Sequence, residues 1–86
     1  MGPYSVRFKA SVEKDLRRIP ATPRRRCLER IAALCAEPRP HLAVQLTASV
    51  RTYRVRVGAY RVVYHVDDAA RLVVIEYVRH RKDAYR

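Results

Sequence analysis

Three arginines lie close to the Gly58-Ala59 dipeptide in the segment YRVRVGAYRVVYHV, and their spacing could create a phosphate-binding cluster. Arg54 and Arg56 precede the dipeptide, and Arg61 follows it. A guanidinium group binds phosphate through two parallel N–H donors, which the point charge of a lysine does not offer. Because arginine stays protonated, such a cluster would hold and stabilise an anion without transferring a proton.

Groups that could transfer a proton occur near the C-terminus, in the segment HRKDAYR. His80 supplies an imidazole, the side chain type that ordinarily exchanges protons near neutral pH, and Tyr85 supplies a phenol. Arg81 lies between them in the sequence and adds another cation. If this segment folds over the three arginines, anion-binding and proton-transferring groups would meet in one site.

The register of the hairpin decides whether the arginines themselves meet. Glycine at the first position of a two-residue loop is typical of a type II′ turn, so Gly58-Ala59 pairs Arg56 directly with Arg61. Alternation then puts Arg54 on the same face of the sheet. Like charges opposite each other destabilise a sheet by roughly 0.2–1 kcal/mol, unless an anion lies between them. The alternative is a solvated polar face on which the arginines lie flat over their neighbours.

The segments before the hairpin predict a strand and two helices. Residues 4–9 alternate and are rich in β-formers, which indicates a first strand. Two apolar stripes with helical spacing follow; Pro20 ends the first, and Thr22-Pro23 should begin the second, which ends near Ala36. The short link between them favours an antiparallel helical hairpin.

Strands dominate the second half of the chain. Pro38 and Pro40 exclude a helix at that point, and the LAVQL segment is either a short edge strand or a loop. Three strands are predicted at residues 51–57, 60–66 and 71–79, the last nearly continuous in apolar residues, as in a strand covered on both faces. The predicted fold is therefore α+β, of order β-α-α-β-β-β, with the helical hairpin on one face of a mainly antiparallel sheet.

Length and charge set the scale of the molecule and the class of its partners. A chain of 86 residues forms a single domain, residues 1–86, with room for one modest core. The sequence has 19 Lys and Arg against 8 Asp and Glu, a formal net charge of +11. This excess favours a polyanionic partner such as nucleic acid, or an acidic protein, over a merely soluble basic surface.

Other kinds of site are not predicted. The three histidines lack zinc-ligand spacing, and two glycines are too few for a glycine-rich phosphate loop, so we expect no metal and no cofactor. Cys27 and Cys35 would lie about 12 Å apart along one helix, too far for a disulfide, and indicate core thiols in a reducing compartment. The absence of a spanning apolar run or a signal-type N-terminus favours a cytoplasmic protein.

The chain resembles the toxins of the RelE/ParE superfamily of type II toxin–antitoxin systems, and its RelE branch in particular. The segments YSVRFKASVEKDLRRIP and RRRCLERIAAL, followed by EPRP, are similar to the helical hairpin of that family. YRVRVGAYRVVY and the terminal HRKDAYR are similar to its sheet and C-terminal motif. The resemblance covers almost the whole chain, and the two later patterns together are more specific than either alone.

This resemblance implies a ribosome-dependent mRNA endoribonuclease that inhibits translation, in which the mRNA 2′-hydroxyl attacks the adjacent phosphate. It implies a cognate antitoxin, the ribosome and mRNA as partners, without a membrane or a small-molecule cofactor. Lysines occur in the RelE pattern at two of the implied RNA-phosphate-binding positions, where this chain has arginine. The implied catalytic residues are Arg61, Arg81, Tyr85 and His80, and the implied RNA-phosphate-binding residues are Arg54 and Arg56.

Three alternatives to the nuclease interpretation stay open at this point. The first is a ParE-like inhibitor of DNA gyrase, with the same fold and no nuclease activity. The second is a nucleic-acid-binding module without toxicity, whose binding would fall steeply with salt. The third is a degenerate toxin that folds and does not cleave. The joint presence of Arg61, His80, Arg81 and Tyr85 favours the nuclease over the gyrase inhibitor.

Overall fold

A computed structural model describes residues 2–46 and 51–82. The elements are β1 (Ser5–Phe8), α1 (Ala10–Arg17), α2 (Ala21–Ala33), β2 (Val44–Gln45), β3 (Thr52–Val57), β4 (Tyr60–Asp67) and β5 (Leu72–His80). The sheet order is β1-β5-β4-β3-β2, with β1 parallel to β5 and the other pairs antiparallel. The predicted α+β fold is confirmed, and the LAVQL segment contributes the two-residue edge strand β2.

The second helix begins and ends earlier than its sequence signals predict. It starts at Ala21 because Pro20 has an extended backbone, with φ −55° and ψ 154°, and already occupies the capping position. The predicted start at Thr22-Pro23 is therefore wrong; these residues lie within the first turn. Because α2 ends at Ala33, Cys35 follows the helix and is partly exposed, whereas Cys27 is buried; both are free thiols.

Both helices cover the same face of the sheet. Val12 and Ile19 from the first half of the helical hairpin, and Ile31 from α2, pack in one cluster with alternate residues of the strands. The strand members of this core are Val55, Val57, Val62, Tyr64, Val66, Val73, Ile75 and Val78. The opposite face of the sheet has no helix over it among the described residues. Within residues 2–46 and 51–82, no helix has the length and apolar character needed to cross a membrane.

The pairing of β4 with β5 is interrupted by a bulge. Val63 pairs with Tyr77, whereas the next residue, Tyr64, pairs with Ile75. Glu76 therefore has no partner on β4. One extra residue in one strand of an antiparallel pair changes the parity of every side chain that follows it.

This bulge decides which side chains at the end of β5 face the helices. With uninterrupted alternation, Tyr77 and Arg79 would share the face of Ile75, which is fully buried in the core. The extra residue Glu76 instead turns Val78 into the core and places Tyr77 and Arg79 on the uncovered face.

Tyr64 connects the core to the proline-containing loop after α2. Its ring is fully buried, and its hydroxyl donates a hydrogen bond of 2.8 Å to the carbonyl oxygen of Pro38. The ring also stacks on Tyr53, with centroids 5.9 Å apart. Burial, followed by the nearby Tyr53, raises the pKa of Tyr64 to about 12.

The raised pKa of Tyr64 predicts a loss of stability at high pH. In the unfolded chain this phenol ionises near pH 10, whereas in the folded protein it stays neutral up to about pH 12. The unfolded state thus binds fewer protons between these values, so the free energy of unfolding should fall as pH rises through them. Urea titrations from pH 8 to 11.5 should show this decline, and it should be smaller in Tyr64→Phe. Equal declines in the two proteins would contradict the assignment to Tyr64.

Candidate functional site

The open face, defined as the sheet face opposite the helices, presents its side chains in cross-strand rows. The strands β3, β4 and β5 each contribute one residue to a row. Starting from the end nearest the β3–β4 turn, the rows are Arg56–Arg61–Arg79, Arg54–Val63–Tyr77 and Thr52–His65–Val74.

The first of these rows consists of three arginines, and we call it the arginine row. The predicted pairing of Arg56 with Arg61 is confirmed, and Arg54 lies on the same face two residue pairs further along. The structure adds Arg79, which pairs with Arg61 from the other side. With neighbouring strands about 4.8 Å apart, the backbone positions of the row span roughly 10 Å.

Three arginines of the open face lack an acidic partner among the described residues. Among residues 2–46 and 51–82, no carboxylate forms an ion pair with Arg54, Arg56 or Arg79. The Nε atoms of Arg54 and Arg61 are shielded from solvent, and the described residues offer no hydrogen-bond acceptor to Nε of Arg54. An unsatisfied buried donor costs about 1–3 kcal/mol. A bound anion would supply the missing acceptor and offset the repulsion along the row.

The β3–β4 turn lies next to the arginine row, and Arg81 is hydrogen-bonded to this turn. Gly58 has a φ of 60° and Ala59 does not have a positive φ, as expected for the predicted type II′ turn. The backbone N–H of Arg81 donates to the carbonyl oxygen of Ala59 at 2.8 Å. A cavity of about 50 Å³ at this point is lined by Arg56, Gly58, Ala59, Tyr60, Arg61 and Arg81. Three of the predicted site residues therefore surround one anion-sized space.

His80 lies on the opposite face of the sheet, the one that the helices cover. It is the last residue of β5, pairs with Tyr60, and contacts that ring edge-on at 5.3 Å between centroids. Its Nδ1 accepts a hydrogen bond of 3.2 Å from the backbone N–H of Lys82, which places the proton of a neutral imidazole on Nε2. The structure thus brings Arg54, Arg56, Arg61 and Arg81 together and separates His80 from them. Tyr85 lies outside the described residues.

Tyr77 and Arg79 are the members of the open face that sequence reasoning missed. The nearly continuous apolar run of β5 hides the alternation and predicts a strand covered on both faces. The structure leaves Tyr77 half-buried and Arg79 exposed on the open face. No sequence signal marks them, because the break in alternation shows only in the structure, where the buried residues are 73, 75 and 78.

Comparison with known proteins identifies the family of this chain. The family model described as the ParE toxin of the type II toxin–antitoxin system parDE matches residues 6–85. The toxin RelG of Mycobacterium tuberculosis is 34% identical over an alignment of 89 residues, gaps included, that covers 98% of this chain and 98% of that protein. The chain belongs to the RelE/ParE superfamily of type II toxins.

Solved structures of toxin–antitoxin complexes share the fold of this toxin. The RelBE2 complex of Mycobacterium tuberculosis matches with a TM-score of 0.77 and 31% identity, over 93% of this toxin and 93% of that chain. The archaeal RelE–RelB complex from Pyrococcus horikoshii matches with a TM-score of 0.78 and 31% identity, over 91% of this toxin and 94% of that chain. The matching family model carries the ParE name, whereas these relatives carry RelE or RelG names.

Proposed function

We propose that this toxin is a ribosome-dependent mRNA endoribonuclease of the RelE type, and that the open face is its RNA-binding surface. The observation that carries the proposal is the convergence of Arg56, Arg61 and Arg81 on one small cavity at the β3–β4 turn. A toxin that acted only by occupying a protein surface would not need guanidinium groups concentrated around an anion-sized space. Phosphate is the anion that suits such donors best.

The reaction is a transesterification within the RNA. The 2′-hydroxyl oxygen forms a bond to the adjacent phosphorus while the bond from phosphorus to the 5′-oxygen of the next nucleotide breaks. The products are a 2′,3′-cyclic phosphate and a free 5′-hydroxyl; one proton leaves the 2′-oxygen and one reaches the 5′-oxygen. Negative charge grows on the phosphate oxygens in the transition state, and Arg61 and Arg81 would stabilise it there.

Arg54 and Arg56 would hold the RNA backbone in place. Both lie on β3, and Arg54 is two residue pairs away from the arginine row, so it would contact a more distant part of the RNA. Phosphate contacts of this kind fix the register of a nucleic acid without reading its sequence. Their guanidinium groups stay protonated, so these positions would not serve as acid or base.

Proton transfer would fall to the C-terminal residues His80 and Tyr85. His80 is the last residue of β5 and directly precedes Arg81. His80 lies on the face that the helices cover, so it would have to donate its proton, as an imidazolium, to a leaving 5′-oxygen that reaches around the end of β5. Tyr85 follows four residues after Arg81 and would act as the second proton-transferring group or stack on a base.

The partners of this function are a cognate antitoxin, the ribosome and mRNA. The similar solved structures are complexes with RelB, which supports an antitoxin as the neutralising partner. The net charge of +11 suits association with the RNA-rich ribosome. An acidic or amphipathic antitoxin segment would complement the same charge.

A second candidate function is inhibition of DNA gyrase, favoured by the ParE name of the matching family model. Induction of the toxin in growing bacteria separates the two. We expect new mRNA 5′ ends within coding regions soon after induction, and no inhibition of supercoiling when purified toxin is added to gyrase. Loss of supercoiling with intact transcripts would instead establish the gyrase function and contradict the nuclease proposal.

A further inference from the structure

Arg79 is held in a defined position on the open face. Its guanidinium carbon lies 4.1 Å from the centroid of the Tyr77 ring, in a cation–π contact. Such stacking restricts a side chain that would otherwise move freely, and it leaves the N–H donors at the rim of the guanidinium available. Among the described residues, no acidic group binds these donors.

The backbone under Arg79 is fixed as well. The bulge at Glu76 turns Tyr77 and Arg79 to the open face. Next to Arg79, the backbone N–H of Val78 donates a hydrogen bond of 3.1 Å to a carboxylate oxygen of Asp15 on α1. This contact satisfies a strand N–H beyond the end of β1, so the end of β5 is anchored to the helical hairpin.

Arg79 is one cation more than a single phosphate requires. Arg61 and Arg81 already line the cavity at the turn together with Arg56, whereas Arg79 does not line it. Two or three guanidinium groups saturate the oxygens of one phosphate, so a further arginine on the next strand gains most from a different anion. The row spans roughly 10 Å, which is wide enough for a second phosphate group of the same strand.

We propose that Arg79, oriented by Tyr77, binds the RNA phosphate adjacent to the one held at the β3–β4 turn. This inference rests on the proposed RNA-binding function of the open face and adds a second phosphate subsite on β5. The arginine row then binds two successive phosphates, with Arg61 between them. Repulsion along the row in the free toxin would be relieved when both phosphates are bound.

The test compares two short RNAs that cannot be cleaved. A 2′-O-methyl dinucleotide contains one phosphodiester, and a 2′-O-methyl trinucleotide contains two. Dissociation constants would be measured by NMR titration of the toxin at low salt. We expect wild-type toxin to bind the trinucleotide roughly threefold to tenfold more tightly, as for one charge-assisted contact at a partly exposed site. Arg79→Ala should abolish this gain and leave dinucleotide binding unchanged.

Matched variants exclude a general loss of charge or of structure. Arg25→Ala removes the same charge from an exposed position on α2, on the other side of the sheet, and should retain the trinucleotide preference. Arg79→Lys keeps the charge without the planar stacking group and should retain only part of it.

The proposal is overturned if Arg79→Ala weakens both RNAs equally, or if wild-type toxin does not prefer the trinucleotide. These outcomes are distinct from failure of the nuclease proposal. If wild-type toxin prefers the trinucleotide, Arg79→Ala abolishes that preference, and wild-type toxin cleaves no mRNA on ribosomes, the nuclease proposal is refuted and the second phosphate subsite remains.

Discussion

Replacing Arg61 with alanine should reduce the rate of mRNA cleavage on programmed ribosomes by about 10²–10³-fold, the usual effect of removing one preorganised donor from a developing oxyanion. Arg61 is the central member of the arginine row, flanked by Arg56 and Arg79, and it lines the cavity that Arg81 reaches from the end of β5. No other described residue pairs with both Arg56 and Arg79 and also lines this cavity. Single-turnover cleavage of a defined mRNA, with toxin in excess, measures the effect.

Two controls make this result specific. Arg25→Ala, with the same loss of charge outside the open face, should cleave at nearly the wild-type rate. Arg61→Lys should recover part of the activity, because it restores the charge without the forked donors. Urea unfolding should show that Arg61→Ala is folded. A folded Arg61→Ala that cleaves as fast as wild type would remove Arg61 from the catalytic site.

Replacing Tyr64 with alanine should have the largest effect on stability. Among the described residues this side chain is the largest that is fully buried, so its truncation leaves a cavity between the sheet and the helical hairpin. Truncation of a buried aromatic ring costs about 3–5 kcal/mol. Since a domain of this kind is stable by only about 5–15 kcal/mol, Tyr64→Ala should lower the urea midpoint strongly or leave the toxin unfolded.

Tyr64→Phe separates packing from hydrogen bonding. This variant keeps the ring and loses only the hydrogen bond from the hydroxyl to Pro38, so it should be destabilised by about 1 kcal/mol. Cleavage by folded Tyr64→Phe should be close to wild type, because the residue faces the helices and not the open face. A free energy of unfolding for Tyr64→Ala within 1 kcal/mol of wild type would contradict the packing account.

The hairpin of this toxin could be predicted in register because two independent signals coincide. The Gly58-Ala59 loop specifies the turn, and strict alternation specifies the face, so the opposition of Arg56 and Arg61 follows from counting residues. Both signals are local and involve residues close in sequence. The helical hairpin could be predicted for the same reason, although Pro20 shifted the start of α2 by its own backbone conformation.

The contribution of β5 could not be predicted, because it depends on contacts distant in sequence. A bulge at Glu76 appears only when β5 is paired with β4 against a core that must bury Ile75 and Val78. The same parity change places Arg79 on the open face and His80 on the helix side. The roles predicted for His80 and Tyr85 in proton transfer remain predictions, and Tyr85 lies outside the described residues.

End analysis of mRNA treated with purified toxin on programmed ribosomes tests the central claim most directly. The account predicts cleavage of ribosome-bound mRNA, an upstream fragment ending in a 2′,3′-cyclic phosphate and a downstream fragment with a 5′-hydroxyl. A 2′-deoxy substitution at the cleaved nucleotide should prevent the reaction, since it removes the attacking oxygen. Intact mRNA after treatment with folded wild-type toxin, or cleavage that persists with the 2′-deoxy substrate, would contradict the account.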